Sequence, residues 1–151
     1  MKLELIEYTC ASCGLTFEAP GLGENAYGEF LLRSKRGSIA YLNAFRDSTY
    51  KEVDELLARE PSVTVLSPIA RAKILRRVYG PVACDWDGKV PFGIDVLPAC
   101  PNCRGGAISS WRFKTAPAFI DIEVPSVTHV SWERLSEVDK VSRLKAQLAQ
   151  P

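Results

Sequence analysis

Cys10-Ala11-Ser12-Cys13-Gly14 and Cys100-Pro101-Asn102-Cys103-Arg104-Gly105 are the stretches that decide how this chain folds. Two residues between paired cysteines let both sulfurs reach one ion. Glycine just after the second cysteine relieves the tight turn in which backbone amides approach the thiolates. Two such pairs supply four soft ligands, and four thiolates suit tetrahedral Zn2+ or an iron–sulfur centre. Nothing else in the sequence suggests electron transfer, so zinc is the preferred ion. The competing reading is a set of buried thiols or a redox Cys-x-x-C pair.

Cys10, Cys13, Cys100 and Cys103 resemble the four ligands of the zinc-ribbon class, in which two knuckles, each at the turn of a β-hairpin, meet around one structural metal. The resemblance implies one structural Zn2+ and a closed site without a position for catalytic water. It covers the residues around the knuckles and names no function. The chain departs from the usual ribbon in the 86 residues, 14 to 99, that separate the knuckles. Closing a loop of that length costs roughly 4 kcal/mol plus a constant. Structural zinc contributes on the order of 10–16 kcal/mol in small peptides, so the metal term wins.

Working outward from the knuckles, the pattern predicts strands at Lys2–Thr9 and Leu15–Glu18, with Tyr8 and Cys10 on one face. Pro20-Gly21-Leu22-Gly23 reads as a break. Tyr27–Arg33 and Ser38–Ala44 read as a hairpin around the basic turn Ser34-Lys35-Arg36-Gly37. Asp47 or Ser48 caps a helix to about Glu60, with Tyr50, Val53, Leu56 and Leu57 as its apolar face. Pro61 stops it, and Ser62–Leu66 reads as extended. Ser67-Pro68 starts a second helix that ends at Gly80-Pro81. Ile108–Phe113 and Phe119–Val124 are strand candidates, the latter with half-exposed alternation. Ser136 caps a C-terminal helix with a stripe of Leu135, Val138, Val141, Leu144 and Leu148. The expected fold class is therefore α+β: a small antiparallel zinc-ribbon-like sheet with an inserted helical segment at about 45–81 and a C-terminal helix, within a single domain of 1–151.

The chain has 151 residues, with 19 Lys plus Arg against 18 Asp plus Glu, a formal charge of +1. That balance argues against a highly basic nucleic-acid coat and against an acidic decoy. Apolar residues make up 46% and charged residues 25%, the composition of a soluble globular chain. No apolar run is long enough to span a membrane, and the charged N-terminal stretch does not read as a secretory signal. The expected location is therefore the cytoplasm, and in that reducing compartment five cysteines read as thiols or metal ligands and not as disulfides.

The candidate partner-binding residues are Lys73, Arg76, Arg77, Trp86, Arg104 and Arg112. Lys73, Arg76 and Arg77 share one face of the second helix, and Trp86 sits on the polar turn Asp85-Trp86-Asp87-Gly88. The first functional reading is a non-enzymatic zinc-binding protein that works through contacts with another protein, of the inhibitor, immunity or accessory-factor kind. The second is a nucleic-acid-binding ribbon using the basic helix 68–79 with Arg104 and Arg112. The third is an enzyme with scattered residues, Cys84, Asp85, Asp87 and His129. No Gly-x-Ser-x-Gly, His-Glu-x-x-His or phosphate-cradling loop supports it, and Cys84 reads more simply as a small buried hydrophobe.

Overall fold

The computed structural model describes residues 1–151. Its first sheet is built on β1 (Lys2–Cys10), whose even-numbered side chains from Ile6 to Cys10 are buried. On one side lies β2 (Thr16–Gly21), antiparallel, with Tyr8 opposite Phe17 and Leu5 opposite Pro20. The other side is shared by two strands placed end to end along β1. The strand β6 (Ile108–Arg112) pairs with Glu7–Cys10, and β7 (Phe119–Asp121) pairs with Lys2–Glu4. A small core of Ile6, Tyr8, Cys10, Phe17, Ala19 and Cys100 fills this ribbon.

The second sheet has the order β4-β3-β5. The strands β3 (Glu29–Ser34) and β4 (Ile39–Asn43) form the expected hairpin, and the short β5 (Phe92–Gly93) adds to β3. The helices α1 (Ser48–Ala58), α2 (Pro61–Thr64) and α3 (Pro68–Ala83) lie between the hairpin and β5 in sequence. The helices α4 (Val130–Glu133) and α5 (Glu137–Leu148) follow the ribbon. Fifteen buried residues form the large core, from Leu32 and Leu42 of the sheet through Val53, Leu57, Val78 and Tyr79 to Trp132 and Leu144. The expected class, α+β with a small antiparallel sheet, a helical insertion and a C-terminal helix, is the observed one, with the short α4 preceding the expected helix. The stretch between the knuckles also holds a sheet of its own, beyond the helices at 45–81.

Local capping explains the helix starts. Asp47 Oδ1 accepts from the Tyr50 amide at 2.8 Å, Ser67 Oγ from Ala70 at 3.2 Å, and Ser136 Oγ from Asp139 at 3.1 Å. Five expectations need correction. Pro20 and Gly21 continue β2 instead of breaking it, because β2 is an edge strand where a missing amide costs no ladder bond. Ser62–Leu66 is not extended: Pro61 opens the one-turn α2, a place where proline's absent N–H is harmless. Gly80-Pro81 does not end α3, which runs on to Ala83. Gly80 is there for space, since a Cβ would sit 2.1 Å from the carbonyl oxygen of Phe92 in β5. Phe119 and Ile120 are both exposed, so β7 has no buried parity. Val138 is 78% exposed and lies off the α5 stripe, whereas Leu144 is buried and Leu135, Val141 and Leu148 pack on the core.

Trp132 is one of the largest fully buried side chains. Its Nε1 donates to Glu52 Oε2 at 2.9 Å, and Lys140 donates to the other oxygen at 2.7 Å, so the buried indole N–H is satisfied. No helix is long and apolar enough to cross a membrane.

Candidate metal centre and its surroundings

The first knuckle closes the end of β1. The Cys10 amide donates to Leu15 O at 2.9 Å, and the Gly14 amide donates to Cys10 O at 3.0 Å. The second knuckle repeats both bonds. Cys100 N donates to Gly105 O at 2.9 Å, and Arg104 N donates to Cys100 O at 2.8 Å. The twin turns place Gly14 and Arg104 at the same position, and both have left-handed backbone, with φ of 76° and 60°. Glycine relieves this turn in the first knuckle as expected. In the second the strained position falls to Arg104, one residue before Gly105. The Ala11 amide, donating to Ala107 O at 2.9 Å, ties the first knuckle to the return of the second.

The knuckles meet. Cys10 Sγ lies 3.5 Å from Cys103 Sγ, and Cys13 Sγ lies 3.6 Å from Cys100 Sγ. All four sulfurs fall within 4.8 Å of one another. A tetrahedral ion with bonds of about 2.3 Å to sulfur sets its ligands about 3.8 Å apart, so the cluster has the right size. A disulfide needs about 2.05 Å, far shorter than either pair. The arrangement is a compact four-cysteine cluster able to coordinate a metal ion, in an architecture that matches a zinc ribbon with a helical insertion.

The thiols differ in their ease of ionisation. Amides of the first knuckle stabilise its thiolates. The Leu15 amide and the Asn102 side chain help lower Cys13 to about 6, and the Cys13 and Ser12 amides lower Cys10. At Cys103 the Gly105 amide, 3.4 Å from Sγ, also pulls downward. The neighbouring thiols Cys10, Cys13 and Cys100, with burial, outweigh it and push Cys103 up to about 11. Four crowded thiolates repel one another, and a cation at their centre removes that conflict.

The residues of the enzymatic reading separate into three places. Asp85 accepts from Val130 N, Ser131 N, Ser131 Oγ and Thr128 Oγ1 at 2.7–2.9 Å, which makes it the cap of α4. Burial opposes its charge, but the Ser131, Thr128 and Val130 donors hold it well below the usual carboxylate range. Asp87 accepts from Ser34 Oγ at 2.7 Å and faces Arg36 across 3.8 Å. His129 and Cys84 come together, with Asp47 and Tyr79, which the sequence did not nominate. His129 Nε2 donates to Asp47 Oδ2 at 2.8 Å, and Nδ1 donates to Ala83 O at 2.7 Å. Both ring nitrogens face acceptors, so the ring is held as a cation. Burial works against that charge, but Asp47, Cys84 and the Ala83 carbonyl outweigh it and raise the group to about 10. Burial also pushes the Cys84 thiol and the Tyr79 hydroxyl up. The pair links the cap of α1 to the last turn of α3, where a positive charge opposes the helix dipole.

Of the candidate partner-binding residues, Lys73, Arg76 and Arg77 are exposed along α3. Arg76 pairs with Asp95 at 2.6 Å, and Arg77 donates to Gln150 O at 3.1 Å. Trp86 is 50% exposed, with Nε1 donating to Pro81 O at 3.0 Å. Arg112 lies apart, on the ribbon, paired with Glu7 at 2.6 Å. Arg104 is exposed on the second knuckle. Arg33 and Lys35 belong beside Arg104 in space, as walls of one hollow. Their signal was the basic hairpin turn, which gave no hint of its neighbour.

No protein-family model matches the chain, and no curated protein or solved structure matches it either.

Proposed function

We propose that this chain is a non-enzymatic zinc-binding protein of the cytoplasm that works by contact with another protein, of the inhibitor, immunity or accessory-factor kind. One structural Zn2+ is held by Cys10, Cys13, Cys100 and Cys103, and residues 1–151 fold as one unit around it. The observation that carries this reading is the cluster of four sulfurs within 4.8 Å. Four thiolates fill a tetrahedral shell and favour zinc among divalent ions, leaving no position for substrate. The ion supplies a rigid positive centre that fixes the knuckles. The protein's own contribution is the pair of amide-lined turns that present the sulfurs.

Support for a binding role comes from the fate of the reactive side chains. His129 has both nitrogens engaged, and Asp85 is committed to capping α4. Cys84 is buried with its thiol pushed up, the reverse of an activated nucleophile. The test is metal analysis of the purified chain joined to cross-linking and affinity capture. One zinc per chain and one stoichiometric protein partner are expected. A metal-free folded chain, or a chain that captures no protein, overturns the reading.

A further inference from the structure

Two adjoining hollows run from the second knuckle to α3 and share Lys35, Asp95 and Val96 as walls. The first, of about 660 Å³, is edged by Arg33, Lys35 and Arg104 over Val96, Leu97 and Pro98. The second, of about 450 Å³, is edged by Arg76 and Arg77 over Pro81, Pro91, Phe92 and Ile94. The joined groove therefore carries five cations and one carboxylate. The whole chain is only +1, so the rest of its surface is net acidic. The one carboxylate, Asp95, is already taken by Arg76. Arg33 is half-buried, with its guanidinium held by Pro20 O and against Tyr8, and Arg77 donates to Gln150 O, so neither is paired with a carboxylate. Lys35 and Arg104 have no side-chain partner.

We infer that this groove binds an extended acidic segment of a partner protein, one that alternates carboxylate and apolar side chains. The inference rests on the protein-contact reading above. An extended segment sends alternate side chains to opposite faces, so one set can enter the floor while the other meets the rim. Arginine forks at the rim suit carboxylates. The floor decides against single-stranded nucleic acid. Bases need flat aromatic platforms, and here the floor is valine, isoleucine, leucine and proline. Its one aromatic, Phe92, is half-buried. Arg104 adds an independent sign. It occupies left-handed backbone at the position where the twin knuckle has Gly14. A side chain kept at a position that favours glycine points to a use for that side chain.

The probe is a labelled synthetic peptide of alternating glutamate and leucine, followed by fluorescence anisotropy with the full chain at low salt. Its controls are the same peptide with glutamine for glutamate, and oligo-deoxythymidylate. The variant is Lys35→Glu with Arg104→Glu, two exposed side chains, checked for native metal content and circular dichroism. The acidic peptide binds, and the variant weakens it by about tenfold or more, as does exchange of its glutamates. Oligo-deoxythymidylate binding more tightly than the peptide, and being lost in the variant, overturns the inference in favour of nucleic acid. Equal peptide binding by variant and parent overturns the location. A captured protein partner held equally by both leaves the protein-contact reading standing and removes the groove. Absence of both partner and peptide binding removes both.

Discussion

Six buried side chains fill the interior of the ribbon, and two of them are the cysteines Cys10 and Cys100. Fifteen fill the helical core, where Trp132, Tyr79 and a set of leucines and valines interlock without any of the clustered thiols. The ribbon is a few short strands whose outer members, β6 and β7, are largely exposed. So thin a layer buries little apolar surface, and small domains with that deficit depend on a metal or disulfides. The helical core is closed by packing and by internal bonds such as Glu52 to Trp132 and Asp47 to His129. One region is built around four clustered thiols able to hold an ion, and the other around packed volume.

Removing the metal is the harshest test of that difference. A strong chelator should unfold the ribbon, with loss of amide protection at Ile6 and Tyr8, because site formation contributes on the order of 10 kcal/mol. Amides of α1 and α3 should stay protected, read by hydrogen exchange. Loss of both regions together would erase the distinction. Trp132→Ala should act in reverse. It should cost about 3–5 kcal/mol in denaturant unfolding, through the cavity left in the core, with Glu52 still paired to Lys140, and leave the metal stoichiometry unchanged.

A third test uses pH. His129 is raised to about 10 in the folded chain, from an ordinary 6.5. A raised group gives its full stabilisation below 6.5 and loses it as pH rises through 10. Between those limits stability should fall by up to about 1.4 kcal/mol per pH unit, with the helical core as the part affected. His129→Gln should flatten that slope, as urea midpoints from pH 6 to 10 would reveal. The smallest effect belongs to the ribbon. Arg104→Gly relieves left-handed backbone and should stabilise the metal-loaded ribbon by about 1 kcal/mol, seen as slower release of the ion to a chelator.

The knuckles were legible because ligand type and spacing are local: Cys10 to Cys13 and Cys100 to Cys103 need no knowledge of the rest. The helix caps at Asp47, Ser67 and Ser136 were legible for the same reason. Pro81 was misread as a stop since the sequence does not show that Gly80 makes room for Phe92. The Asp47–His129 pair was invisible because 82 positions separate its members. The cationic groove was half visible. Arg76, Arg77 and Arg104 stood out, but only the β3–β4 hairpin brings Arg33 and Lys35 beside them. Periodicity named Val138 apolar and could not know that no neighbour faces it.

The central strand of the ribbon finds β6 and β7 only after about a hundred further residues have left the ribosome. At roughly 5–20 residues per second, Cys10 and Cys13 wait about 5–20 s as half a site. During synthesis the first pair of thiols lacks its partner turn until Cys103 emerges. Slow translation near Cys100 would lengthen that window, and a ribosome stalled there would hold an open knuckle together with a helical core still lacking Trp132 and Leu144.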